Sequence, residues 1–228
     1  SNHFQSEAYA DDNRNLKAIK ESHTQYRFDK MQELLSEKEK LTPQKAAEIL
    51  RNKEGLEGTN LGMGNEMAIN QLLAHHGIIF KPEERKVWVS ANPYQLGAFV
   101  AYDLDTAFKK FENGNVSGSV MQAQETIAVD PFVNTKAYKD YEKYRELSRE
   151  IIEAISKEKE ISEDKIKRMK YLNPHFWKVY KIAGDYYFQQ KEFKKAVINY
   201  KLAKRREVTT LSDEEYLDKM IKKSYRKI

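Results

Sequence analysis

Between Asn70 and Leu104 apolar positions fall at a spacing of two. Leu72, Ala74, Ile78 and Phe80 share one face of an extended chain, and Leu73 and Ile79 the other. A strand apolar on both faces is expected to be covered on both sides. Lys81-Pro82-Glu83-Glu84-Arg85 is a polar turn with Pro early in it. Val87-Trp88-Val89 resumes as strand, and a third strand follows Asn92-Pro93 and Gly97, over Phe99–Leu104. This predicts a three-stranded antiparallel meander. Such a unit is marginal alone and needs partner strands and a covering layer.

Elsewhere the apolar spacing shifts to three and four, the helical period. Tyr26, Met31, Leu34 and Leu35 place a helix over Thr24–Leu35. Thr42-Pro43 is an N-cap followed by Pro at the first helical position, and starts a helix bearing Ala46, Ala47, Ile49 and Leu50. Tyr138, Tyr141, Tyr144, Leu147, Ile151, Ile152 and Ile155 form the stripe of a long helix from Thr135 to about Lys159. Ser162-Glu163-Asp164 starts a shorter one. Ser212-Asp213-Glu214-Glu215 caps a last helix with Tyr216, Leu217, Met220 and Ile221. Ser1–Tyr9 reads as the end of a strand, Asn113-Gly114-Asn115 as a turn, and Val116–Pro131 as a linker or an irregular strand. The chain is thus α+β: residues 1–110 a mixed domain, 111–134 a linker and 135–228 helical.

Composition adds limits. Hydrophobic residues make up 40% and charged residues 33%, with no cysteine. No run approaches the roughly 18 apolar residues of a membrane span, and no signal peptide is visible. Without cysteine there is no disulfide, thiolate metal site or cysteine nucleophile within these residues. The compartment is not set by this. The first residues, Ser1-Asn2-His3-Phe4, lack an initiating Met, so a processed or truncated product is expected.

The net charge of +5 hides an asymmetry. Residues 165–228 hold 18 Lys/Arg against 7 Asp/Glu, while residues 1–164 hold 22 against 28. A basic tail can serve nucleic acid, an anionic membrane surface or an acidic partner. The spaced positions and the lack of a recognition motif favour a solvated helical face instead, and no nucleic acid partner is expected.

Few motifs carry chemistry. Gly55–Gly64 holds four of the nine glycines, but no strand precedes it and no Gly-Lys-Ser/Thr follows. It reads as a connection into the sheet, not a phosphate loop. His75 and His76 are adjacent, so on a strand they point to opposite faces and cannot share one metal. No metal and no cofactor are expected.

Phe176–Val208 resembles one tetratricopeptide repeat. Ala183-Gly184, Tyr187, Phe193, Ala196, Tyr200 and Ala203 follow that repeat's order of small and aromatic residues, with Gln189-Gln190-Lys191-Glu192 as its turn. Val208 stands where the repeat usually has Pro. The resemblance implies two closely packed antiparallel helices. One repeat cannot bury its own face, so it needs the preceding helices or the mixed domain as cover. It implies a protein partner or self-association, or a structural prop.

Three stretches of residues 1–105 resemble the C-terminal part of an N-terminal-nucleophile hydrolase. The nearest groups are the acyl-CoA:6-aminopenicillanate acyltransferase-like family and the bile-salt and penicillin-V amidases. Asn2-His3-Phe4 is similar to that family's Thr-Asn-His-Phe strand end. Tyr26-Arg27-Phe28 is similar to its Ser-x-x-Arg-Phe helix start. His75–Ser90 is similar to its late hairpin. The resemblance implies an αββα sandwich and cleavage or transfer of an acyl group at an amide. In it Asn2 is the oxyanion-hole side chain and Arg27 the active-site arginine. His3 would lie near the site by adjacency only. It implies as partners a small-molecule amide or acyl donor and the upstream half of the same enzyme, which would carry the cysteine nucleophile. This chain alone is expected to be inactive. Ser1 is a second possible nucleophile, though Asn-His-Phe directly after it departs from the family's order. No serine stands close before Arg27; Gln25 and Tyr26 do, with Ser22 farther back. The alternative function is a helical protein-interaction scaffold with a structural sheet and no catalysis.

Overall fold

The computed structural model describes residues 3–36, 40–74, 76–112, 114 and 118–228. These residues fold as helices and one small antiparallel sheet, an α+β arrangement. In the first part lie α1 (Asn13–Glu21), α2 (Thr24–Leu35) and α3 (Pro43–Leu50). The Thr42 side chain accepts from Lys45 N at 3.2 Å and so caps α3, as its sequence requires. Residues 3–6 join no sheet, although Asn2-His3-Phe4 reads as a strand end; a short 3-10 turn follows at Glu7–Tyr9.

The sheet comprises β1 (Ile78–Lys81), β2 (Lys86–Ser90), β3 (Phe99–Asp103) and β4 (Met121–Ile127), in that order and antiparallel throughout. β4 lies in the segment that reads as linker or irregular strand, and is irregular: its register against β3 shifts between Phe99 and Ala101. Between β3 and β4 lies α4 (Leu104–Glu112), which the apolar spacing did not single out. Of the expected turn at 113–115, only Gly114 is described.

β1 begins later than the alternation from Leu72 suggests. The Asn70 side chain accepts from Leu72 N at 2.9 Å, and Leu72 has φ of +51°. This local turn breaks the extended run and sends Leu72 into the helical core.

The faces of the sheet differ. Ile79, Trp88 and Ala101 lie in one cross-strand row, and with Phe99 and Ile127 they pack under Ala47 of α3. The other face carries the rows Ile78–Val89–Val100 and Phe80–Val87–Tyr102–Met121. Ile78 is 51% exposed and Phe80 66% exposed, and none of these seven residues belongs to a buried cluster. The sheet is thus covered on one side only among the described residues, not on both as its apolar content suggests.

The second part is a run of five helices: α5 (Lys136–Ser156), α6 (Glu163–Leu172), α7 (Trp177–Gln189), α8 (Phe193–Ala203) and α9 (Leu211–Tyr225). Each packs on the next. Thr135 caps α5 and Thr210 caps α9, each accepting a backbone N–H at 3.2 Å. A Cβ on Gly184 would lie 2.5 Å from the Tyr200 ring, so only glycine lets α7 and α8 approach this closely. The hydroxyls of Tyr200 and Tyr216 both donate to Asp185 Oδ1 at 2.8 Å, and Lys181 donates to Oδ2 at 2.6 Å. Burial, together with the Asp185 carboxylate, pushes the Tyr200 hydroxyl far above the ordinary tyrosine range.

The sheet keeps its own buried cluster, but loops of the first part enter the helical core. Leu72 and Leu96 sit within the helical cluster, and Tyr141 donates its hydroxyl to Leu72 O at 3.2 Å. Asn173 clasps the backbone of Met63 from both sides, donating to its carbonyl at 2.8 Å and accepting from its N–H at 3.0 Å. Gly62 lies against the Phe176 backbone. The glycine-rich loop is therefore a joint onto the helices. Arg51, at the end of α3, donates to Gln95 O, Gly97 O and Ala128 O at 2.7–3.2 Å and stacks on Phe99. It holds together the loops at the end of the sheet.

Candidate functional site

The start of α2 is where the residues of interest meet. Asp12 accepts from Asn15 N at 2.8 Å and caps α1, which fixes Asn15. The buried Asn15 side chain then accepts from Phe4 N at 2.8 Å and donates to Phe4 O at 3.1 Å. One residue earlier, the buried His3 ring bonds through Nδ1 to Thr24 Oγ1 at 3.0 Å. Its edge also meets the Phe28 ring, centroids 5.9 Å apart, and the Gln5 amide lies against its Nε2. Residues 3 and 4 are thereby clamped to α1 and α2.

Arg27 sits one helical turn beyond Thr24. It is half-buried, and its guanidinium makes no hydrogen bond or ion pair among the described residues; Nε is enclosed without a partner. Burial alone lowers its pKa from the ordinary value. Keeping a guanidinium charge from water without a partner is costly. It is the kind of group that accepts an incoming carboxylate or a developing negative charge.

Thr24 stands three positions before Arg27, one turn earlier on the same helix. The clamp of Asn15 on Phe4 and the packing of His3 were not legible in the sequence, because both depend on a fold of the first 30 residues that no periodicity reports.

Asn2 lies outside the described residues, as do Ser1 and His75. The structure therefore places Arg27 and His3 but does not bring Asn2 into view. His76 stands apart in the approach to β1, and Glu83 and Glu84 sit in the turn after it. Among the described residues no three His, Asp or Glu side chains gather to hold a metal. No helix is long and apolar enough to cross a membrane.

Behind Arg27 runs a polar seam onto the helical part. Lys178 of α7 pairs with Glu66. Trp177 donates to Thr209 Oγ1 at 2.8 Å, and that hydroxyl reaches Asn65 Oδ1 at 3.3 Å. His23, just before α2, borders this seam, with its Nδ1 buried and unpartnered. Burial, then the neighbouring Arg27 charge, lowers its pKa below 6.5; Lys178 acts in the same direction, while Glu66 and Asp213 oppose. A histidine depressed in the fold binds fewer protons there than when unfolded. Stability is therefore full above the unfolded pKa and declines as pH falls toward the folded one. The urea midpoint should drop as pH falls below the ordinary histidine value of 6.5, and His23→Gln should flatten that part of the drop. An unchanged slope in the variant would assign the pH dependence to other groups.

No family model, curated protein or solved structure matches the chain.

Proposed function

We propose that the chain is the C-terminal portion of an acyltransferase or amide hydrolase of the N-terminal-nucleophile class. The observation that carries this reading is the half-covered sheet. A helix packs on one face, while the other carries two apolar cross-strand rows whose edge members Ile78, Phe80 and Met121 are exposed and whose central Val87, Val89, Val100 and Tyr102 are half-buried. In this reading the helix-backed sheet is one half of an αββα sandwich, and its partly exposed apolar face takes a second sheet against it. The unpaired, half-buried Arg27 supports the reading, because an arginine left free of carboxylates is available to a reacting group.

The roles follow from the resemblance. A cysteine supplied from outside these residues attacks the acyl carbonyl, its own α-amine taking the thiol proton. The carbonyl oxygen becomes an oxyanion, and the Asn2 amide donates to it. Collapse expels the amine and leaves a thioester, which water or a second amine resolves. Arg27 stabilises charge beside the nucleophile or binds a substrate carboxylate. The substrate class is a small amide or acyl donor.

The α7–α8 pair fits a single tetratricopeptide-like hairpin, with Gly184 against Tyr200 as its close approach. Its neighbours α5 and α9 and the loop at Asn65-Glu66 occupy the surroundings that a peptide ligand would need. The tail is thus a brace for the catalytic part, which weakens the reading as a free scaffold.

The test is the intact parent polypeptide. Intact-mass measurement and N-terminal sequencing should find a self-cleaved segment starting with Cys that co-purifies with this chain. The pair should release amine from a panel of acyl amides, and this chain alone should release none. Turnover by this chain alone, or a parent without a cleaved cysteine terminus, would sink the mechanism.

A further inference from the structure

The tip of the helical part lies far along the chain from Arg27 and has its own chemistry. α9 turns Lys219, Lys222, Lys223 and Arg226 outward at i, i+3, i+4 and i+7, opposite its buried Leu217, Met220 and Ser224. The α7–α8 turn adds Lys191 and Lys194. Arg226 shares a shallow hollow with Lys191 and Phe193, and Ile228 shares another with Lys191 and Lys194, so the two sets form one surface. None of these six cations makes an ion pair among the described residues. The nearby side-chain carboxylates are already engaged, Glu192 by Lys195 at 2.6 Å and Asp218 by Lys204 at 2.5 Å, which leaves Glu215 on that wall and, in the 228-residue chain, the α-carboxylate of Ile228 against six cations.

Apolar tips stand among the charges. Ile198 of α8, Tyr225 of α9 and Ile228 are each more than half exposed. Lys201 Nζ donates to the Tyr225 hydroxyl at 2.7 Å, which places that ring on the α8 side, in line with Ile198. A solvated lysine face does not need these aliphatic tips. A phosphodiester backbone offers them nothing to pack on, and the hollows here are shallow and open and do not enclose an acidic peptide.

We propose that this α8–α9 end docks on an anionic phospholipid surface, the cations meeting headgroups while Ile198, Tyr225 and Ile228 enter the interface. This does not depend on the catalytic reading.

The experiment is co-sedimentation of the 228-residue chain with vesicles of phosphatidylcholine alone or mixed with phosphatidylglycerol. Binding is expected only to the mixed vesicles and should fall with salt. The triple variant Lys219→Gln, Lys222→Gln, Arg226→Gln should partition about 100-fold more weakly. All three side chains are exposed, so its melting temperature should match the parent's. Ile198→Ser with Ile228→Ser should remove the binding that survives high salt. Equal binding to both vesicle types, or undiminished binding of the triple variant, would overturn the proposal. So would retention of a DNA duplex by the same cations with no vesicle binding, which would assign the surface to nucleic acid.

Discussion

Gly62→Ala should destabilise the chain by about 3–5 kcal/mol. Two effects combine. Gly62 has φ of +77°, where an alanine is strained by about 1–2 kcal/mol. Its new Cβ would also lie 2.3 Å from Phe176 N and 2.5 Å from Phe176 Cα, well inside contact distance. Those are backbone atoms of the segment entering α7, so no rotamer change relieves the overlap. The joint must open, and the Asn173–Met63 clasp beside it opens too. Gly58→Ala is the matched control: φ is +73° but nothing lies within 4 Å of its Cβ, so only the conformational cost of about 1 kcal/mol remains. The chain's two tryptophans separate the parts, Trp88 in the sheet and Trp177 in the helices. Denaturation followed in Trp88→Phe and Trp177→Phe backgrounds should give coincident transitions for Gly62 and divergent ones for Gly62→Ala. A loss no greater than that of Gly58→Ala would show that the joint yields.

The second large effect belongs to the proposed acyl-transfer reading and concerns turnover by the assembled parent. Asn2→Ala should lower kcat by about 100- to 1000-fold with little change in KM, the signature of a donor that acts on the oxyanion and not on bound substrate. Arg27→Lys should cost less than Asn2→Ala, since a charge stays but the planar fork is lost. An unchanged kcat for Asn2→Ala would remove Asn2 from the mechanism while leaving the sheet argument intact.

The helices and the meander were legible because each has a local cause. Thr42-Pro43 starts α3 and Thr135 starts α5 where the capping residues place them. The hairpin through Pro82 and the row Ile79–Trp88–Ala101 follow from alternation and turn chemistry. The early residues 72–74 misled, because alternation cannot detect a side-chain turn such as that of Asn70. β4 was faint since its exposed Gln124 and Glu125, with Gln122 on the covered face beside Ala101, dilute the apolar period. Of the candidate site, the enclosed Arg27 Nε, His23 and the clamp around His3 were not legible, because they arise where segments distant in sequence converge.

The clasp between Asn173 and Met63 joins residues 110 positions apart. The sheet's pairings, by contrast, link neighbours along the chain, and each tail helix meets the next. Such contacts of low sequence separation close fast, whereas a loop of this length must first lose a great deal of chain freedom. The clasp therefore belongs to the late part of the folding reaction. The meander and the helical run assemble as separate units, and their union is the slow, topology-limited event.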